Sequence, residues 1–229
     1  MQPQTSELTS PLWFYLPRTI AFLQYSRAKL DPRADDFTPI CVNYTIIMLA
    51  VFYLEGCLEA WLRETVSAVP LADHPLLQEL HREFLSKIGK ATSPEDYNRQ
   101  VELICGKKLS DLCADQWQGL KALFALRGAL AHGRMIEASV TTDGQNHENS
   151  FNGGYNKAWE YLEKQKVVTA QMDVMQLGDV LLSDKVADYW VSFSRDFIVV
   201  LGEALGGNEQ KLFKQARFDS QSGWSYPPL

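Results

Sequence analysis

Two residues in one short segment have the types and the spacing for proton transfer and phosphate chemistry. In the stretch LFALRGALAHG, Arg127 precedes His132 by five positions. At about 100° per residue, a helix through this stretch puts Cys113, Trp117, Leu120, Phe124, Arg127 and Ala131 on one face, with Leu123, Leu126 and Leu130 beside it. Arg127 therefore stands inside an apolar stripe. An unpaired guanidinium there is costly, so it requires a carboxylate, a bound anion or a solvent-filled groove. His132 falls about 140° further round the axis and ~7.5 Å along it, at the rim of the stripe near the helix end. A histidine can move protons near neutral pH while an arginine stabilises a phosphate or oxyanion. Together they make a minimal apparatus for phosphodiester cleavage that needs no metal.

A second charge intrudes where an apolar residue is expected. Glu55 lies at the centre of the stripe built by Tyr44, Ile47, Val51, Leu58 and Leu62. A carboxylate and a guanidinium placed this way are natural partners if their helices pack together. A bland reading stands beside each. Arg127 and His132 sit near a helix C-terminus, where cations favour the dipole and can bond the last carbonyls. Glu55 could equally be a half-exposed residue at the edge of its stripe.

The elements that must position these residues are legible as helices. Pro17 opens one that runs to about Leu30, with Ile20, Leu23 and Arg27 on one face, and Asp31-Pro32 ends it. The strongest runs from about Cys41 to Glu64, with Tyr44, Ile47, Val51, Leu54, Leu58 and Trp61 spaced by threes and fours. Pro75 to Ile88 is amphipathic through Leu76, Leu77, Leu80, Phe84 and Ile88, and Gly89 supplies a C-cap. Ser93-Pro94-Glu95-Asp96 caps a helix that Gly106 closes. Ser110 or Asp111 is expected to cap the helix that runs through the motif to Gly133. Beyond it, Met135 to Thr141 suits a short strand and Val167 to Met172 could pair with it, leaving Asp143 to Gly154 as a loop rich in Asn and Gly. Lys157 to Gln165 is a short helix. Asp184 to Leu205 is the last long one, with Gly206-Gly207 as its stop.

Composition narrows the function classes. The chain has 229 residues, 46% hydrophobic and 22% charged, which suits one globular domain with a core of about 17–206 and a tail of 207–229. Its net charge is −6, which argues against a broad polyanion-binding surface and leaves room for a small basic site. Cys41, Cys57, Cys105 and Cys113 are scattered, with no CxxC and no histidine at metal-ligand spacing. A reducing, cytoplasmic setting is expected, with no structural metal and no cofactor. No signal peptide is evident at the polar start. The apolar run Ile40–Leu54 is shorter than the ~20 residues of a membrane span, so a buried helix is expected.

The stretch LFALRGALAHG resembles the signature of HEPN domains, in which an arginine, four to six arbitrary residues and a histidine close a helix. Arg127 and His132 match, as do the preceding apolar residues and Gly133. The helix ending YLEGCLEAWLRE is similar to the earlier HEPN helix whose glutamate packs against the motif helix, here Glu55. The resemblance spans about Cys41 to Gly133. It implies an all-α fold, a HEPN-like helical bundle with a short β-ribbon or loop insertion after the motif helix. It further implies a homodimer in which two motifs share a groove, metal-independent endoribonuclease chemistry at Arg127 and His132, and a toxin or defence role, with RNA as substrate and an antitoxin or other protein as partner. Lys107, Lys108 and Arg134 could add local positive field for RNA. Two departures stand out. The position after the arginine is commonly polar, often asparagine, and here is Gly128; and no tyrosine follows His132 by two. The intact Arg and His favour the nuclease, while Gly128 favours a catalytically inactive module that binds a partner protein or nucleotide.

Overall fold

A computed structural model of the chain describes residues 15–30, 38–69, 75–143, 146–170 and 177–206. The described chain is predominantly helical with one small β-ribbon. In order come α1 (Leu16–Arg27), α2 (Thr38–Ser67), α3 (Pro75–Lys87), α4 (Pro94–Cys105), α5 (Leu109–Leu112), α6 (Ala114–Ala131), β1 (Ala138–Asp143), β2 (Asn146–Phe151), α7 (Gly153–Lys164), α8 (Leu177–Leu181) and α9 (Asp184–Ala204).

The long α2 is the centre of the bundle. Its stripe of Ile47, Val51, Leu54, Leu58 and Trp61 is buried as the spacing predicts, while Tyr44 lies at the exposed edge. It packs against α1, α4, α6 and α9. At 30 residues α2 outruns the apolar stretch read from sequence, and by length and composition alone it could cross a membrane. In this fold half of that apolar window is buried against its neighbours, and Glu55 lies within the helix.

Polar pairing fastens α1 to this centre. The Arg27 guanidinium donates to both Asp188 oxygens at 2.9 and 2.8 Å and to Asn43 Oδ1 at 2.7 Å. Asn43, itself buried, donates on to the Leu182 carbonyl and Asp184 at 2.9 and 2.8 Å. A buried cation is tolerated when every face of it is bonded in this way. Asn43, which merely interrupted an apolar run in the sequence, is the hub joining α1, α2 and the start of α9.

The caps of α4 form as its sequence predicts. Ser93 Oγ accepts from the Asp96 amide at 3.2 Å, Asp96 accepts from the Ser93 amide at 3.1 Å, and Gly106 adopts φ 67°. The face of α3 behaves differently: Ile88 just beyond it is buried, but Leu76, Leu77 and Leu80 are exposed, because α3 meets chiefly α2 and nothing covers its outer side among the described residues.

The structure corrects the sequence reading in two places. The motif helix does not start at Ser110 or Asp111. Those residues lie inside α5, and the chain breaks at Cys113 with φ −126° and ψ 50°, so that its thiol is buried before α6 begins. The ribbon also differs. β1 pairs antiparallel with β2, Ala138 opposite Phe151 and Asp143 opposite Asn146, so the stretch read as a loop supplies a strand. Val167 and Val168 are not its partners; they are buried beyond α7. The overlooked signal is Gly144, the first of the two residues between Asp143 and Asn146, a hairpin cue of the Gly-X kind. The tail 207–229, Trp13, Phe14 and His74 lie outside the described residues.

Candidate functional site

The α6 helix places Arg127 where α2 and α4 meet it, and there it finds Glu55. Arg127 Nη2 approaches Glu55 Oε1 at 3.2 Å and donates to Oε2 at 3.5 Å. The pairing expected from two misplaced charges is therefore present. Its geometry is loose: the nearer oxygen lies outside hydrogen-bond alignment, and both Glu55 Oε1 and Arg127 Nε are buried without a hydrogen bond. The side chains are 12% and 25% exposed respectively, so the pair sits at the lip of the core, not at its centre.

Burial decides the electrostatics here. Desolvation raises the Glu55 pKa above the ordinary carboxylate range; Arg127 pulls it back and Glu59 pushes it further up. The net direction is upward, so attraction to Arg127 does not compensate for the lost hydration. Tyr97 of α4, packed edge-on against Phe124, belongs to the same cluster: burial first, then the charges of Glu55 and Glu59, hold its phenol strongly in the protonated form. Sequence reading missed Tyr97. Its signal was its register with Val101 on the buried face of α4.

His132 is fixed by how α6 ends. It is the C-cap, Gly133 follows with φ 57°, and the Gly133 and Arg134 amides donate back to Leu130 and Ala129 at 2.9 and 3.1 Å. This is a Schellman closure, which demands a left-handed residue after the cap and so explains the glycine after the histidine. The His132 side chain is exposed. Two tyrosines brace the same turn, Tyr44 donating to the Leu130 carbonyl at 3.4 Å and Tyr155 to the Arg134 carbonyl at 2.7 Å. The sequence places Tyr44 only as a member of the α2 stripe and gives Tyr155 no role, since a tyrosine on a helix carries no signal for the carbonyl it will meet.

The structure brings Arg127 and Glu55 together, with His132 about a turn and a half along α6 and Arg134 two residues beyond it. It does not bring Lys107 and Lys108 to them. Those exposed lysines lie in the α4–α5 turn at the other end of α6, which at 18 residues is ~27 Å long. Gly128 faces open space, with nothing within 4 Å of an added Cβ. His81, half-buried, contacts the Val66 carbonyl at 3.0 Å and anchors α3 on α2.

Chemically, the arrangement offers a guanidinium that is a quarter exposed, with its buried Nε–H unbonded, and an accessible imidazole on the same helix. Comparison with family models, curated proteins and solved structures finds no match to this chain.

Proposed function

We propose that this chain is a metal-independent endoribonuclease of HEPN type, acting in the cytoplasm as a homodimer in a toxin or defence role. The observation that carries the reading is the Arg127–Glu55 contact at 3.2 Å. It holds a phosphate-binding side chain at the edge of the core, on the helix that ends in an exposed imidazole. In the reaction His132 accepts the proton of an RNA 2′-hydroxyl, and that oxygen attacks the adjacent phosphorus. The bond from phosphorus to the 5′-oxygen breaks, and a second imidazole in the dimer groove returns a proton to the leaving oxygen. Arg127 stabilises the charge gathering on the phosphate oxygens. The products are a 2′,3′-cyclic phosphate and a 5′-hydroxyl.

The test is cleavage of single-stranded RNA by purified protein in EDTA, followed by end-group analysis. Cyclic phosphate ends, and no cleavage where the 2′-hydroxyl is replaced by hydrogen, support the proposal. Intact RNA across several sequences, with a folded dimer, overturns it.

A second reading has its own support. Gly128 departs from the polar residue common at that position, and Glu55 already occupies one edge of the guanidinium. Both suit a catalytically silent module in which the pair is structural and the surface binds a partner protein or nucleotide.

A further inference from the structure

A different face of α6, about 120° from Arg127, forms a cleft with α7. The two helices run antiparallel and very close. Gly154 lies against the Ala125 carbonyl and Ala129, and Gly119 admits the Tyr161 hydroxyl and the Phe193 ring. Where the helices part, a cleft of about 400 Å³ opens, lined by Gln118, Lys121, Lys157, Glu160, Tyr161 and Lys164.

Its charge is anomalous for a chain of net charge −6. Three ammonium groups line it. Lys157, Tyr161 and Lys164 recur at the four- and three-residue spacing of one helical stripe, and Lys121 faces them from α6. None of the three lysines is in an ion pair among the described residues. The one carboxylate, Glu160, accepts from Asn156 at 2.5 Å. Tyr161 accepts from Tyr189 at 3.0 Å, which leaves its own hydroxyl proton free to donate. Lys121 stands 6.0 Å from the Trp117 ring, held beside an aromatic face and not against an acid. Three convergent cations against one carboxylate, with a tyrosine hydroxyl beside them, describe a receptor for an anion with more than one charged group.

We propose that the α6–α7 cleft binds phosphate groups, supplied by a nucleic-acid strand or by a free oligophosphate such as a nucleotide. Its size suits a small-molecule or single-nucleotide site. The inference is independent of cleavage at Arg127 and His132, because it uses other residues on another face.

The experiment uses the full chain and two probes: a fluorescent 2′-O-methyl oligoribonucleotide, which cannot undergo internal attack, and inorganic tripolyphosphate. Wild type should bind at least one of them with salt-sensitive affinity. The variant Lys121→Gln/Lys157→Gln/Lys164→Gln should weaken that binding at least tenfold. For the oligonucleotide, the log–log salt slope should also fall by about 2, at roughly 0.7 for each strand phosphate that is no longer neutralised. A charge-matched control, Lys29→Gln/Lys87→Gln/Lys90→Gln, should bind within twofold of wild type. These lysines are solvent-facing, and a thermal melt unchanged from wild type shows that the cleft variant is folded. Oligonucleotide binding assigns the cleft to a strand, and tripolyphosphate binding alone assigns it to a free oligophosphate. Equal loss in the cleft variant and the control, or no binding of either probe at low salt, overturns the proposal.

Discussion

The Glu55–Arg127 pair makes a quantitative prediction about what a half-buried ion pair contributes. At 3.2 Å and an effective dielectric of about 20, the gross attraction is about 5 kcal/mol. Desolvation outweighs it for the carboxylate, because the Glu55 pKa is raised in spite of Arg127. Glu55→Gln keeps the shape and a hydrogen-bond acceptor but removes the charge, so it should change stability by less than about 1 kcal/mol in either direction. Glu55→Ala removes packing as well and leaves the guanidinium facing a cavity. With Arg127 25% exposed and able to rehydrate, the cost should be about 2–3 kcal/mol, below that of breaking a fully buried pair. The pH dependence carries a sign. Since the native pKa is raised, there is a window just above the ordinary carboxylate range in which the unfolded chain has lost a proton that the native chain still holds. Stability contributed by Glu55 is therefore complete at lower pH and lost as pH rises through the native pKa. Urea unfolding of wild type and Glu55→Gln from pH 4 to pH 8 checks this, read as the difference between the two. The wild type should lose ground to Glu55→Gln as pH rises. If it gains ground, and Glu55→Gln costs 3 kcal/mol or more at pH 7, the pair is a net stabiliser and the reasoning fails.

Other outcomes are as definite. Arg27→Ala should destabilise by about 2–4 kcal/mol, because the 9%-exposed guanidinium holds Asn43 and two carboxylates that are themselves solvated enough to recover part of the loss; in a scanning melt this lowers Tm by roughly 5–15 °C. Gly128→Asn should fold as wild type does, since open space surrounds that position and a non-glycine residue favours a helix interior by a few tenths of a kcal/mol. If the glycine limits catalysis, the same change raises the cleavage rate, whereas a lower Tm would show that the space is not open. Sedimentation equilibrium at micromolar concentration should give twice the 26.0 kDa chain mass; the monomer mass throughout would remove the shared groove on which the nuclease reading depends.

Much of the helical frame was legible because local rules agreed with tertiary needs. The Ser93 cap, the Gly106 stop and the α2 stripe each had one physically sensible reading, and each formed. The Glu55–Arg127 contact was legible for the opposite reason, as two violations of pattern that only each other could relieve. What stayed hidden depends on packing between distant segments. Nothing local marks Asn43 as the hub of the Arg27 network, or Gly119 and Gly154 as the contacts that let α7 approach α6. The break at Cys113 was invisible because its apolar neighbours fit a continuous helix equally well. The ribbon was misread because β2 is short and polar: its buried face carries Asn149 beside Phe151, so a polar residue stands where an apolar one would mark the period-two alternation.

The central claim, that Arg127 and His132 cut RNA, is tested most directly by side-by-side cleavage rates of wild type, Arg127→Ala, Arg127→Lys and His132→Ala on one single-stranded RNA in EDTA. Each alanine variant should melt within a few degrees of wild type and cleave at least a hundredfold more slowly, in line with the 10²–10⁴-fold worth of a positioned proton-transfer group. Arg127→Lys should recover little, because a point charge cannot reproduce a planar two-point contact with phosphate oxygens. Cleavage at the wild-type rate by either folded alanine variant would contradict the claim.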